Sequence, residues 1–393
     1  MVLRALHNAL VSFSHAERRL EPFFRAPLDA LLRDPQAALI QALINLGRRR
    51  DGLALAEERL IPDEAAHIQS IIDTMRVHMN SQYHPGDFKR AGNTKTHGVL
   101  RGEVTIRDDV PARMRHGILA EPRSYRAWVR YSGPGPDRPP DIDDVGFVSM
   151  TIKMMGVPGP KLLDDEKFTQ DLLGICTPTF VTPDARANAK LQVWSYERTP
   201  LWYFFDPRDS HLLDFWMQAL WNKTQSNPLG EQYFSCVPYL LGDGQAMQYA
   251  FYPKTTVKRH IPGLPLGRPP DNYLRDNMIA TLKETDVEFD IMVQVQTDAF
   301  RMPIENASVL WPQSLSPRVP VASLRIPMQS FDSPAQFAFA GVLSYNPWHC
   351  LPEHRPLGNQ SRTRLPLYTE LSRYRQAMNR TPHIEPTGDE VFP

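Results

Sequence analysis

Arg364, Tyr368 and Arg375 lie in the stretch TRLPLYTELSRYRQAMN, and these three residue types at this spacing could bind a metal and an anion. Counted from Tyr368 at 100° per residue, Arg375 returns to within about 20° of the same direction after seven residues. Arg364 sits one turn earlier, provided the helix already extends that far. A free tyrosine has a pKa near ~10, so a phenolate at neutral pH needs the metal itself and a nearby permanent cation. Tyr368 then reads as a ligand to iron, with Arg364 as the cation and Arg375 as a carboxylate holder. The competing reading is a solvated basic face carrying a half-buried tyrosine.

Three further stretches carry polar groups that could serve the same site. RAGN, residues 90–93, offers Arg90 and Asn93 and is followed by KTHG with His97. WVRYS offers Arg130 and Ser132, and TQDLLGICTPTF offers Cys176 and Phe180. Each has a plainer alternative. Gly92-Asn93 favours a turn, a histidine entering a strand is often satisfied by backbone, and a buried cysteine usually behaves as a small hydrophobe. If residues 93–97 are extended, they carry the chain about 13 Å, too far for His97 to stand in for Asn93 unless a tight turn intervenes. No GxGxxG after a strand, GxxxxGK, HExxH or GxSxG motif is present.

The elements that must position these residues change in type along the chain. ALHNALVSF, PFFRAPLDALLRD, PQAALIQALINLGRRR and PDEAAHIQSIIDTMRVHM space apolar residues three or four apart and read as helices, with Pro27 and Pro35 breaking the run. From about residue 98 the period becomes two. VLRGEVTI, RAWVRYS, GFVSMTIKMMG, MQYAFYP, EFDIMVQVQTD and VPVASLRIP read as strands joined by long loops, which favours an antiparallel sheet or barrel over a doubly wound parallel one. Two proline-rich connections, SGPGPDRPPDIDDVG and IPGLPLGRPPDN, interrupt them. The C-terminal third returns to helix, with Pro366 expected in the first turn of its clearest example. The reading is an α+β chain with an N-terminal helical segment over residues 1–60 and one larger unit over 61–393.

The 393 residues leave room to bury a cofactor. Lysine plus arginine (44) equal aspartate plus glutamate (44), so net charge gives no reason to expect nucleic acid as a partner. Three separated cysteines, Cys176, Cys236 and Cys350, without a CxxC pair exclude a disulfide framework and a thiolate metal site. Without a signal-type or spanning apolar run the expectation is a cytoplasmic protein. Residues 27–50, apolar on one face and basic at the end, either pack on the core or rest on a membrane surface.

The motifs taken together resemble the catalase superfamily, in particular its smaller catalase-related heme proteins of the bacterial and allene oxide synthase-like branch. RTRLPLYTELSRYR is similar to the proximal helix of that family, WVRYS to a barrel motif, and RAGN plus KTHGVLRGEVT to the segment with a propionate arginine and a distal histidine. TQDLLGICTPTF, QSFDSPAQFAF and LSYNPWHCLPEHRPLG also match, so the likeness runs from about residue 60 to 380. It implies a catalase-like antiparallel β-barrel with surrounding helices, binding heme b through iron ligand Tyr368, with Arg364 beside that ligand. Arg90, Arg130 and Arg375 would hold propionates, and Asn93, Ser132, Cys176 and Phe180 would form the distal side. In the register of the motif Asn93 replaces the histidine and Cys176 an asparagine. An amide cannot relay the proton that hydrogen peroxide cleavage requires, and a thiol near heme is open to oxidation by bulk peroxide. The resemblance therefore implies a heme oxidoreductase or hydroperoxide isomerase or lyase acting on an apolar, fatty-acid-type hydroperoxide. Two alternatives stand beside it: a weak peroxidase using His97 or water, and a non-catalytic heme-binding or sensing protein. The resemblance also admits a homo-oligomer.

Overall fold

In VLRGEVTI, RAWVRYS and SMTIKMM large apolar residues recur at every second position, which gathers them on one face of each strand. The structure, a computed structural model, describes residues 2–392. Among these described residues nine strands form: β1 (Thr96–Ile106), β2 (Ser124–Ser132), β3 (Ser149–Met155), β4 (Thr169–Ile175), β5 (Tyr233–Phe234), β6 (Tyr239–Leu240), β7 (Ala246–Pro253), β8 (Val287–Val295) and β9 (Val319–Ile326). They pair antiparallel in the order β5-β4-β3-β2-β1-β9-β8-β7-β6, and β5 also pairs with β7. That last pairing closes eight strands into a barrel, while β6 continues along the same edge of β7. Closure removes the open edges that an eight-stranded sheet would otherwise present.

The inner face holds Leu100 and Val104 of β1, Val129 and Tyr131 of β2, Met150 and Ile152 of β3, and Phe289 and Ile291 of β8, all in one buried cluster. Burial of each such side chain contributes about 1.5–3 kcal/mol, so the register of every strand is fixed by which residues face inward. Gly174 stands where the ring closes; a Cβ there would meet Phe251 Cε2 at 2.9 Å and Tyr233 Cβ at 3.0 Å.

Among the described residues ten helices surround the barrel: α1 (Val2–Leu20), α2 (Arg25–Leu28), α3 (Asp34–Gly47), α4 (Glu64–Gln82), α5 (Ala185–Tyr196), α6 (Leu201–Phe205), α7 (Leu212–Ala219), α8 (Tyr273–Glu284), α9 (Pro334–Val342) and α10 (Asn359–Asn379). The antiparallel barrel and the N-terminal helices are those expected from periodicity. Two details differ. Pro35 does not end a helix, because a π-turn over Asp29–Arg33 carries α2 into α3 and puts Pro35 at the second position of α3. Pro366 does not lie in a first turn: α10 starts after Gly358 (φ +85°), seven residues earlier, so Pro366 is internal. The helix therefore already exists at Arg364. Among the described residues no helix is long and apolar enough to cross a membrane.

Candidate functional site

Strand alternation that fills the barrel with aliphatic side chains sends the intervening residues outward. On β2, β3 and β4 these outward residues form two rows across the ladder: Arg130, Thr151 and Leu173, then Ser132, Ser149 and Ile175. Helix α10 faces this wall with Gln360, Thr363, Arg364, Leu367, Tyr368, Leu371, Ser372 and Arg375, a three-to-four-residue spacing that covers one side of a helix. Ile71 and Met75 of α4 and Leu191 and Gln192 of α5 complete the walls. Between them lies a cavity with about 1590 Å³ of atom-free space, its mouth included.

Among the described residues this lining contains no carboxylate, imidazole, thiol or lysine. Its ionisable groups are the guanidiniums of Arg90, Arg130, Arg364 and Arg375 and the phenols of Tyr345 and Tyr368. Arg90 donates to the carbonyls of Ala340 (2.8 Å) and Leu343, at the end of α9. Arg375 donates to the Gly341 carbonyl and, at 3.4 Å, to that of Leu343. Arg130 donates to the Asn93 carbonyl (2.6 Å) and to Thr96 Oγ1 (2.7 Å). All of these acceptors are neutral. Burial, and then repulsion from Arg90, lowers Arg375 to about 9, and burial lowers Arg90 to about 10. Burial pushes Arg130 further down, with Arg90 and Arg375 adding to it. A buried cation without a counter-ion is costly. The arrangement is one that an anion with more than one carboxylate would relieve.

Arg364 differs from these three. Its buried Nη1 has no hydrogen-bond partner among the described residues, and its guanidinium lies 5.3 Å from the centre of the Phe180 ring. Burial works against its charge, yet Tyr368, Tyr239, Cys236 and Tyr249 around it hold its pKa above the ordinary value. Tyr368 stands one helical turn away on the same wall.

On the barrel side Asn93 adopts φ +51°, a left-handed conformation that asparagine tolerates better than most residues. Its backbone N–H donates to the Pro134 carbonyl (3.0 Å), and Ser149 Oγ donates to its Oδ1 (2.8 Å). With the carbonyl end thus engaged, the amide N–H groups remain as donors. Leu173, Ile175, Phe180 and Phe234 supply the apolar part of this side.

Arg90, Asn93, Arg130, Phe180, Arg364, Tyr368 and Arg375 are thus brought together around one cavity. Ser132, Cys176 and His97 are not among its lining residues. Cys176 follows Ile175, so alternation turns it into the barrel, where its Sγ accepts from the Val148 N–H at 3.1 Å. Ile175 takes the wall position instead. Ser132 is buried with its Oγ unpartnered. His97 sits in an irregular step between β1 and β2, 3.8 Å from Asp141 Oδ1, which Lys95 already holds at 2.6 Å. Burial, then Lys95, Arg275 and Arg130, lowers His97 to about 3, so it is neutral. Sequence reasoning missed Ser149, Thr151 and Ile175, although the parity of Arg130 and the strand pairing would have found them. Tyr345 carried no such signal.

A separate buried cluster joins Glu166, Asp171 and His349, a donor set able to hold a metal ion. Lys153 Nζ already donates to Glu166 and, at 2.9 Å, to Asp171, so an ammonium supplies the cation there.

No family model matches the chain, and no curated protein matches it. Solved structures do. A fungal catalase superposes with a TM-score of 0.60 at 16% identity, covering 88% of this chain and 69% of that one. A bacterial catalase gives 0.56 at 15% identity, over 86% of this chain and 67% of that one. Catalase A from Saccharomyces cerevisiae gives 0.60 at 15% identity, over 88% and 73%. The chain has the catalase fold.

Proposed function

We propose that the cavity binds heme b and that the protein converts an apolar organic hydroperoxide, of fatty-acid type, by rearrangement or cleavage. The supporting observation is the composition of the lining: four guanidiniums without carboxylate partners, one tyrosine a turn from one of them, and, among the described residues, no carboxylate, imidazole, thiol or lysine to relay a proton. The fit to the cofactor rests on those uncompensated arginines and on the orphaned Nη1 of Arg364. Arg90, Arg130 and Arg375 would hold the two propionates, Tyr368 would ligate the iron, and Arg364 would stabilise its phenolate form. When bound, the heme supplies one-electron chemistry at an O–O bond.

The protein's own groups then set the outcome. Asn93, held by Ser149 at its Oδ1, donates an N–H to a peroxide oxygen but neither accepts nor releases a proton at neutral pH. Ile175, Leu173, Phe180 and Phe234 keep water from the substrate's oxygens and accept an alkyl chain. Arg364, held above the ordinary guanidinium value, keeps its proton and does not act as a base. Without a shuttle, transfer of a proton from one peroxide oxygen to the other is slow, and hydrogen peroxide is a poor substrate. An alkyl hydroperoxide can react without that transfer.

Hemin titration followed by absorption, comparing the protein with its Tyr368→Phe variant, tests the ligand. Product analysis with a fatty-acid hydroperoxide then tests the reaction. Full hemin occupancy with an unchanged spectrum in the variant refutes the ligand assignment. Net oxidation of an added electron donor makes the protein a peroxidase instead. Absence of any turnover with intact hemin binding leaves a heme-binding or sensing protein.

A further inference from the structure

Helix α1 is mounted inside out. Its Leu6, Leu10, Phe13 and Leu20 recur on one side and are exposed, Phe13 by 73%. Its buried side, roughly 110° away by helical geometry, carries His7 and Arg18 instead. Arg18 donates to the Asp144 carbonyl and, at 3.3 Å, to Asn222 Oδ1, and Thr224 Oγ1 donates to the Arg18 carbonyl at 2.7 Å. The polar side therefore holds the helix to the protein, and the apolar side has no partner among the described residues. The pattern continues through exposed Phe23, Phe24 and Leu28 to α3. That helix packs Ala37 and Ile40 on Met217 of α7 and on Leu220 just after it, while Leu39, Leu43 and Leu46 face out. Of the 24 exposed large apolar side chains among the described residues, twelve lie between residues 6 and 46, so they form a patch rather than scattered exposure.

The charge of the segment selects the occupant. Residues 1–50 hold eight arginines, no lysine and four carboxylates within a chain of zero net charge. Glu21 and Asp29 are already engaged by Arg25 and Arg33. Arg19, Arg49 and Arg50 form no ion pair among the described residues, and Arg49 and Arg50 are exposed. Two copies of this face would set like charge against like charge. A surface of anionic lipid satisfies both the apolar stripe and the arginines.

We infer that the N-terminal helices α1–α3 form a monotopic docking surface for an anionic lipid bilayer. The helices lie in the interface and do not span it. This inference uses none of the cavity residues and stands whether or not heme binds, although it would deliver an apolar substrate from the membrane.

Co-sedimentation with phosphatidylcholine vesicles containing phosphatidylglycerol, against pure phosphatidylcholine vesicles, tests it. The full-length protein is expected to sediment with the anionic vesicles and to be partly released by salt. The triple variant Phe13→Glu, Leu31→Glu, Leu46→Glu changes only exposed positions and is expected to lower the partition coefficient by a factor of about 100 or more. Arg19→Glu with Arg49→Glu, which leaves the apolar stripe whole, should lower it as well. Unchanged circular dichroism and hemin titration establish that the variants fold. The inference is overturned if the protein ignores anionic vesicles, or if the triple variant binds them equally well. It is also overturned if sedimentation velocity shows a dimer that the triple variant abolishes while vesicle binding is absent, since the face would then serve self-association.

Discussion

Replacing Arg364 by methionine should move two properties in opposite directions. In the protein without heme, the Nη1 of this guanidinium is buried and has no partner among the described residues. An unsatisfied buried polar group costs about 1–3 kcal/mol, and methionine of similar length removes it. The change also loses the contact with the Phe180 ring at 5.3 Å, worth about 0.5–1 kcal/mol. The balance is a gain of about 0.5–2 kcal/mol, seen as a rise of a few degrees at most in the thermal midpoint. Hemin affinity should fall instead, because the phenolate of Tyr368 loses its cation. A charge-assisted interaction of about 1.5–3 kcal/mol corresponds to roughly a 10- to 100-fold weaker hemin dissociation constant. Thermal melting followed by circular dichroism and a hemin titration at the Soret band read the two quantities independently. A variant that is destabilised without heme and binds hemin as tightly as the parent would refute both the orphaned-cation argument and the assignment of Arg364 to the tyrosine.

Cys176→Ala should leave the hemin spectrum and hydroperoxide turnover unchanged and lower stability by about 1–3 kcal/mol, since the Val148 N–H loses its acceptor; an altered heme spectrum would mean that the thiol does reach the cavity. Asn93→His should raise hydrogen peroxide disproportionation by about 100-fold or more over the parent, and oxygen release that stays at background would show that the missing base is not the bottleneck. Two buried histidines should limit stability on opposite sides of pH 6.5. His349 opposes burial through hydrogen bonds with Asp165 and Asp171 that raise it to about 9, so its contribution is complete below 6.5 and lost as pH climbs toward 9. His97, lowered by burial to about 3, contributes above 6.5 and loses that as pH falls toward 3. The alkaline window is worth on the order of 3 kcal/mol and the acid window on the order of 5 kcal/mol. Urea denaturation across both windows checks this, and a His349→Gln variant with an unchanged alkaline decline would exclude His349 as its source.

Much of the fold was legible because the signals are local and repeated. Six of the strands announce themselves by alternation, whereas β4 (TQDLLGI) sets Leu172 and Leu173 side by side, and β5 and β6 are two residues each and have no period to read. The start of α10 was hidden by Pro366, the strongest local start signal in that stretch, while the actual start depends on Gly358 in a left-handed conformation. On the candidate site, the spacing Arg364, Tyr368, Arg375 already carried the geometry of a helix face. The wall opposite did not yield so readily. TQDLLGICTPTF presents Ile175 and Cys176 side by side, and a one-residue difference decides which of them meets the cavity, because successive side chains in a strand point to opposite faces.

By itself the sequence determined the helix-then-strand order, the antiparallel character and the set of arginines around a tyrosine, since each follows from residue spacing within one segment. Only the tertiary structure decided that Arg90, Arg130, Arg364 and Arg375, drawn from a loop, a strand and a helix, share one cavity without a carboxylate among the residues lining it. It also decided that His97 and Cys176 face elsewhere, and that α1 turns its apolar side outward. These are matters of which face meets which neighbour. A period fixes a face, but the packing of distant segments selects what that face touches.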